Sequence, residues 1–287
     1  MKHHEYLWKS HDGLDIYAQS WQPETNRPLA VINLVHGLGE HSGRYAEWAE
    51  WFVAEGYAFL ALDYRGHGKS GGKRGHTEEY LSFMRDIGLL LSKSEELFPN
   101  IPVILYGHSL GGNLVINYAI RFRPAIFALI ATSPWLKLAF EPPRLKIWAG
   151  KILKSFFPAM LNSNGLVASQ LSRDPEVGIQ YAHDPLVHNK ISLTTFFAVM
   201  ATGNEGIKNA YKINVPFLLM HGSGDMITSH TASQDLVKNS NDTTTFRLWK
   251  DAYHELHHEP NKQEVFRYTL KWLDELIKEK KEMNGYF

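Results

Sequence analysis

A serine stands between two glycines in Gly107-His108-Ser109-Leu110-Gly111, after the apolar run Val103–Tyr106 and before an amphipathic stretch from Leu110 to about Phe122. In that setting the serine occupies a strained strand-to-helix turn that exposes its hydroxyl at the strand's carboxyl end. Gly107 and Gly111 are needed because a side chain on either would collide as the helix packs back on the strand. A serine hydroxyl is a poor nucleophile until a base takes its proton. The expected base is a histidine held in one tautomer by a carboxylate. Two later strand ends supply such groups. Asp225 lies in Gly222-Ser223-Gly224-Asp225, directly after the run ending at Met220. His254 lies in Asp251-Ala252-Tyr253-His254, directly after the run ending at Trp249. Asp242, Asp251 and Glu255 are nearby acids, but none follows the penultimate strand. His257 and His258 compete with His254, which comes first after its strand. An oxyanion formed at Ser109 also needs preorganised N–H donors, and the main chain of Leu110 and Leu38 would supply them.

The surrounding elements must bring these loops together. Tyr6–Lys9 and Asp15–Trp21 alternate like an antiparallel hairpin around His11-Asp12-Gly13. Leu29–Val35, Tyr57–Leu62, Val103–Tyr106, Phe127–Ala131, Phe217–Met220 and Thr244–Trp249 read as strands. The first of these is a continuous apolar run, as expected of a strand buried on both faces. Helices are expected over Tyr45–Ala54, Thr77–Leu97, Leu110–Phe122, Ser192–Tyr211, His230–Lys238 and Glu264–Lys280. Strands alternating with helices imply an α/β fold, a mostly parallel central sheet flanked by helices. The rhythm breaks between Ala131 and Phe217, a gap longer than one crossover requires. Residues 133–190 therefore read as an insertion, with residues 1–132 and 191–287 as the core domain.

Composition narrows the class. The chain has 287 residues, 44% hydrophobic and 21% charged, with Lys+Arg and Asp+Glu equal at 30. A zero formal charge gives no electrostatic case for nucleic acid. With no cysteine, disulfide and thiolate chemistry are excluded. No secretory leader and no membrane-length apolar run is visible, so the expectation is a soluble, cytoplasmic protein.

Several motifs together carry a resemblance. They are His36-Gly37-Leu38-Gly39-Glu40-His41-Ser42-Gly43-Arg44-Tyr45, Asp63-Tyr64-Arg65-Gly66-His67-Gly68-Lys69-Ser70, Gly107–Gly112, Pro216–Gly222 and Ala252-Tyr253-His254. Leu171-Ser172-Arg173-Asp174 and Asp184-Pro185-Leu186 add to them. The chain resembles the monoglyceride lipase/lysophospholipase branch of the α/β-hydrolase superfamily, from about residue 10 to 275. The resemblance implies an α/β-hydrolase fold with a helical cap over the site, and hydrolysis of monoacylglycerols or related single-chain lipid esters. It also implies that no cofactor or metal is needed. A pocket for the glycerol head group would be expected near the Leu38 loop, with Glu40, Arg44 and His257 as candidates by position. Leu38 stands where relatives often carry a smaller residue, which would narrow the acyl entrance. A carboxylesterase, lysophospholipase or small peptidase would use the same triad, and a non-catalytic hydrolase-fold binding module stays open.

Within the insertion, Leu145, Trp148, Ala149, Ile152, Leu153, Phe156, Phe157 and Met160 recur on one helix face, with Arg144, Lys146, Lys151 and Lys154 off it. The default expectation is that this face packs on the domain below. The alternative is a cap helix that transiently touches lipid surfaces, and a cap lining an acyl channel combines the two. Two further patterns mislead. Gly66-x-Gly68-x-x-Gly71 lacks the helix that a dinucleotide site needs at once. His254-Glu255-Leu256-His257-His258 fits H-E-x-x-H, but Pro260 and the polar residues before it argue against both histidines on one helix.

Overall fold

The computed structural model describes residues 1–24 and 27–284. In chain order the strands are β1 (Lys2–Lys9), β2 (Asp15–Gln22), β3 (Val31–Val35), β4 (Ala58–Leu62), β5 (Val103–His108), β6 (Ala128–Thr132), β7 (Leu161–Ser163), β8 (Lys190–Ser192), β9 (Phe217–Gly222) and β10 (Thr244–Trp249). Eight of them form one sheet in the order β1-β2-β4-β3-β5-β6-β9-β10, while β7 and β8 pair with each other. From β4 to β10 every neighbouring pair is parallel; β1 and β2 run antiparallel at one edge. The parallel strands therefore share one carboxyl rim, where an open α/β sheet presents its loops for chemistry.

The helices are α1 (Ala46–Ala54), α2 (Tyr80–Leu97), α3 (Leu110–Phe122), α4 (Arg144–Phe156), α5 (Pro175–His183), α6 (Leu193–Lys208), α7 (His230–Lys238) and α8 (Lys262–Asn284). They divide between the two faces of the sheet. Ile32, Leu34, Ile104 and Tyr106 point to the face covered by Trp48, Phe52, Phe266 and Leu273 of α1 and α8. Val31, Val35 and Leu105 point to the other face, against Phe83, Ile87, Leu114, Ile120 and Val199 of α2, α3 and α6. The alternation follows from the period of two along a strand. Each such large side chain withdrawn from water contributes roughly 1.5–3 kcal/mol.

Three elements differ from expectation. Strand β1 begins at Lys2 and not at Tyr6, because its polar first half is held by main-chain pairing with β2 in the register Lys2↔Gln22, which leaves no hydrophobic trace. Helix α6 begins after Ser192, whose side chain caps it by accepting from the Thr195 N–H. Helix α4 stops at Phe156, just before Pro158, and none of its residues is buried. The expected packing of its apolar side is thus corrected. The helix touches α6 near Gly150 and Phe197, while Leu145 and Phe156 remain 74% and 73% exposed.

Candidate active site

Ser109 sits between β5 and α3 with φ 53° and ψ −115°, a positive-φ conformation that L-residues avoid. Its surroundings enforce it. The Ser109 N–H donates to the Thr132 carbonyl at 3.0 Å, and the Ser109 carbonyl accepts from Trp135 and Asn113 at 2.9 and 3.1 Å. A Cβ on Gly107 would strike the Gly111 carbonyl and Val115, and one on Gly111 would strike the Val35 carbonyl. That is the close helix-on-strand approach expected from the sequence.

The loops after β9 and β10 bring Asp225 and His254 to the same rim. Asp225 folds into a side-chain turn, its Oδ1 accepting the Ile227 and Thr228 N–H groups at 2.8 and 3.0 Å. The two loops are stitched together, with Gly224 N–H donating to the Ala252 carbonyl at 2.9 Å and Ser223 N–H to the Trp249 carbonyl at 2.8 Å. His254 Nδ1 lies 2.7 Å from Asp225 Oδ2, and its Nε2 lies 2.9 Å from Ser109 Oγ. A carboxylate only accepts, so Nδ1 carries the proton and Nε2 is left to accept from the serine. All three side chains are nearly inaccessible.

The electrostatics follow from this geometry. Burial opposes charge on Asp225, but the neighbouring His254 and the hydrogen bonds from His221 and His254 outweigh it and hold the carboxyl well below its usual range. Burial likewise disfavours the His254 imidazolium; the attraction and hydrogen bond of Asp225 outweigh that and raise its pKa. His108, with ring centroid 4.8 Å from that of His254, is pushed down to about 3 by burial and by His254.

The Leu38 loop is braced on several sides. Glu40 Oε1 accepts the Gly37 N–H at 2.5 Å and the Tyr45 hydroxyl at 2.9 Å. The Gly37 carbonyl accepts the Tyr64 hydroxyl at 2.7 Å, and the Gly39 carbonyl accepts the His188 N–H at 2.9 Å. Leu38 and Ser109 line a common cavity, and Leu110 opens α3 directly after the serine. Arg44 donates to Glu40 and, through two nitrogens, to Glu255. His257 is buried, stacked on Tyr45 with centroids 4.4 Å apart. Neither of its ring nitrogens has a hydrogen-bond partner among the described residues. Burial, then His258 and His108, push its pKa well down.

The competing residues lie elsewhere. Asp242 and Asp251 are exposed. The H-E-x-x-H residues do not share a helix: His254 turns to Ser109, Glu255 turns to Arg44, and a short 3-10 turn covers Leu256–His258. Glu255, His257 and His258 do place ligand-type atoms within 4.8 Å of one another, but the Arg44 guanidinium already occupies both Glu255 oxygens. In the glycine run, Gly66 and Gly68 form turns around Asp63, whose oxygens accept the Ser42 and Lys69 N–H groups at 2.7 and 2.8 Å. The next helix opens only at Tyr80. Sequence reasoning missed His221, whose Nε2 lies 3.0 Å from Asp225 Oδ2. Its signal was a histidine closing the apolar run, four residues before the acid.

The cavity at Ser109 measures about 210 Å³ and is lined mainly by apolar side chains, among them Leu38, Trp135, Phe140, Ile191, Phe196 and Met226, with Asn164, Gln170 and Thr228 as polar walls and no carboxylate among its described walls. A second, polar cavity of about 470 Å³ lies beyond Arg44, between His41, Glu47, Asp184, His258 and Lys262.

Comparison with known proteins agrees with this architecture. Residues 26–261 match the Hydrolase_4 family model, described as serine aminopeptidase, S33. An uncharacterized abhydrolase domain-containing protein of Dictyostelium discoideum is 36% identical over 92% of this chain, which spans only 28% of that protein's length. The monoacylglycerol lipase of Mycolicibacterium smegmatis is 31% identical over 94% of this chain and 96% of its own. The crystal structure of Paleococcus ferrophilus monoacylglycerol lipase superposes with a TM-score of 0.82 at 36% identity, covering 92% of this chain and 98% of that one. With its sheet, its glycine-flanked serine turn and this kinship over nearly its whole length, the chain belongs to the Hydrolase_4 (serine aminopeptidase, S33) family of α/β-hydrolases, beside the monoacylglycerol lipases.

Proposed function

We propose that the protein is a serine hydrolase that cleaves the ester bond of monoacylglycerols or similar single-chain lipid esters. The observation that carries this reading is the hydrogen-bonded chain Ser109–His254–Asp225 opening into an apolar, carboxylate-free cavity. The relatives named monoacylglycerol lipases support the substrate class. An aminopeptidase needs a carboxylate to meet the substrate's ammonium group, and the cavity walls argue against one.

In this mechanism Ser109 Oγ attacks the ester carbonyl carbon while its proton passes to His254 Nε2. Asp225 orients the imidazole and stabilises its charged form. The Leu38 and Leu110 N–H groups hold the oxyanion, an interaction worth about a hundredfold or more per donor in rate. Collapse expels the alcohol, which takes the proton from His254, and leaves an acyl-serine. Water then attacks the acyl carbon with His254 again as base, releasing the fatty acid and restoring the serine. The acyl chain occupies the apolar cavity. The expected head-group candidates Glu40, Arg44 and His257 do not line this cavity. Glu40 braces the Gly37–Leu38 backbone and Arg44 ties Glu40 to Glu255, so these two hold the oxyanion loop from behind.

The insertion, residues 133–190, acts as a cap over the core formed by residues 1–132 and 191–287. Its exposed α4 face, with Arg144, Lys146, Lys151 and Lys154 alongside, would meet a lipid surface transiently, since apolar burial and attraction to anionic head groups then add. Among the described residues no helix is long and apolar enough to cross a membrane.

The test is labelling by a fluorophosphonate probe followed by a hydrolysis panel of monoacylglycerols, lysophospholipids and p-nitrophenyl esters of varied acyl length. Labelling confined to Ser109 with a preference for monoacylglycerols is expected. An unlabelled Ser109 would remove the mechanism, and preference for lysophospholipids would move the substrate assignment.

A further inference from the structure

Asp225 holds more donors than are needed to orient one imidazole. Its Oδ1 is fixed by two main-chain N–H groups. Its Oδ2 accepts from His254 Nδ1 at 2.7 Å, from Thr228 Oγ1 at 2.8 Å and from His221 Nε2 at 3.0 Å. His221 is wholly buried near the end of β9, and its Nδ1 is 2.8 Å from Ser233 Oγ on α7, so the ring is held from both sides. A histidine sealed under the site, with one nitrogen on the very oxygen that faces His254, is a connection that orientation of Asp225 alone does not require.

We propose that His221 is a positioning residue that acts through Asp225 to set the basicity of His254. The proposal rests on the Ser109–His254–Asp225 reading given above. A donor to a carboxylate stabilises its charge and lessens the negative potential that a neighbouring imidazole feels. With His221 in place, Oδ2 is shared, and His254 is drawn less strongly toward its protonated form. Without it, Oδ2 would bind the imidazolium more tightly, and the base would stay protonated, and so inactive, up to a higher pH. Thr228 and the two main-chain donors keep Asp225 ionised in either case. The other groups facing the pair are His108 from β5, Glu40 from the Leu38 loop, Glu255 beside His254, and His230 at the start of α7. Of these only His230 is in ring contact with His221.

The experiment measures kcat and KM for p-nitrophenyl ester hydrolysis across pH, with the full-length parent, His221→Leu, His221→Gln and Ser109→Ala. For His221→Leu the acid limb of kcat/KM should move to higher pH. The ratio of kcat/KM at about pH 9 to that at about pH 6 should rise by roughly threefold or more, with KM on the plateau unchanged. His221→Gln keeps an N–H donor near the same place and should follow the parent. An acid limb for His221→Leu that coincides with the parent or moves to lower pH overturns the proposal, as does a His221→Gln profile displaced as far as that of His221→Leu. Ser233→Ala serves if His221→Leu does not fold. It frees the far side of the ring, should shift the limb in the same direction by less, and overturns the proposal if the limb does not move. Ser109→Ala separates the two levels: retained activity would refute the hydrolase mechanism itself, whereas an inactive Ser109→Ala beside an unshifted His221→Leu refutes only the role of His221.

Discussion

Arg44 and Glu255 face each other through two parallel charge-assisted bonds, Nη1 to Oε1 at 2.6 Å and Nη2 to Oε2 at 2.8 Å, across 211 residues of chain. The fork locks the turn that follows Leu38 to the turn that carries His254. The same guanidinium also serves Glu40 at 2.8 Å, so one cation neutralises two buried carboxylates. Burial disfavours an ionised Glu255, and Arg44 with His258 overcomes it to hold its pKa well below the usual range.

Removing that cation should be costly. Arg44→Ala leaves the buried Glu40 and Glu255 without their shared cation, and breaking a buried pair in this way costs about 3–5 kcal/mol. Urea unfolding should show a large fall in midpoint at unchanged slope. A midpoint near that of the parent would mean water reaches these carboxylates.

The acid limb of activity reports His254. Its pKa is raised by Asp225 against the effect of burial, so the neutral, base-competent form is lost at a pH above that of an ordinary imidazole, whose value is about 6.5. Activity should be full in mild alkali and should fall as pH drops through that raised value. Asp225→Asn should cut kcat by about 10⁴-fold, as loss of the orienting carboxylate does in other triads. A flat profile across neutral pH would exclude His254 as the base.

Stability should also fall in acid, for a different set of groups. His108, His188, His67 and His257 are kept neutral mainly by burial, with His108 at about 3 and His188 at about 4. Their folded values lie below the unfolded one, so the unfolded chain binds more protons as pH falls. Their contribution is complete above about pH 6.5 and is lost progressively below it. Asp225 and Glu255, also depressed, add losses that begin near their unfolded values, about 3.9 and 4.3. His254, being raised, works the other way: its contribution is present below about pH 6.5 and is lost as pH rises through its folded value. Urea midpoints at about pH 7.5 and about pH 5 should therefore differ, with the acid sample less stable; equal midpoints would contradict the burial of these imidazoles.

The serine turn stores strain that glycine would release. Ser109→Ala should lower kcat by about a millionfold while the fold persists. Ser109→Gly should be equally inactive yet more stable than Ser109→Ala by about 1 kcal/mol, because only glycine occupies that conformation without cost. The reverse order of melting temperatures would refute strain at this position.

The α4 face offers a solution test. Trp148→Ser with Phe156→Ser should weaken co-sedimentation with anionic vesicles and leave the unfolding free energy within about 0.5 kcal/mol of the parent, since neither side chain is buried. Unchanged vesicle binding would point to another use for the face.

Much of the site was legible because each of its three groups directly follows an apolar run, and parallel strands bring such ends to one rim. The glycines around Ser109 were legible for a steric reason visible in five residues. The Arg44–Glu255 fork was not, because an ion pair formed across 211 residues leaves no local pattern. Nor was the link from His221 to Asp225, since a histidine closing an apolar run reads as a buried strand residue. The period of α4 revealed an apolar face but not what lies opposite it, so its exposure had to come from the fold. The first half of β1 was invisible because hydrogen bonds, not hydrophobic faces, hold an edge strand.

Strands β6 and β9 are neighbours in the sheet, and the long segment that leaves after one and returns before the other adds no strand between them. Apart from α6, which packs on the sheet through Val199 and Ile207, that segment can change in length and side chains without shifting the register that holds the reactive groups. Descendants of this scaffold are free to acquire new substrate tastes by rewriting that one excursion, while the hydrolytic apparatus is inherited intact.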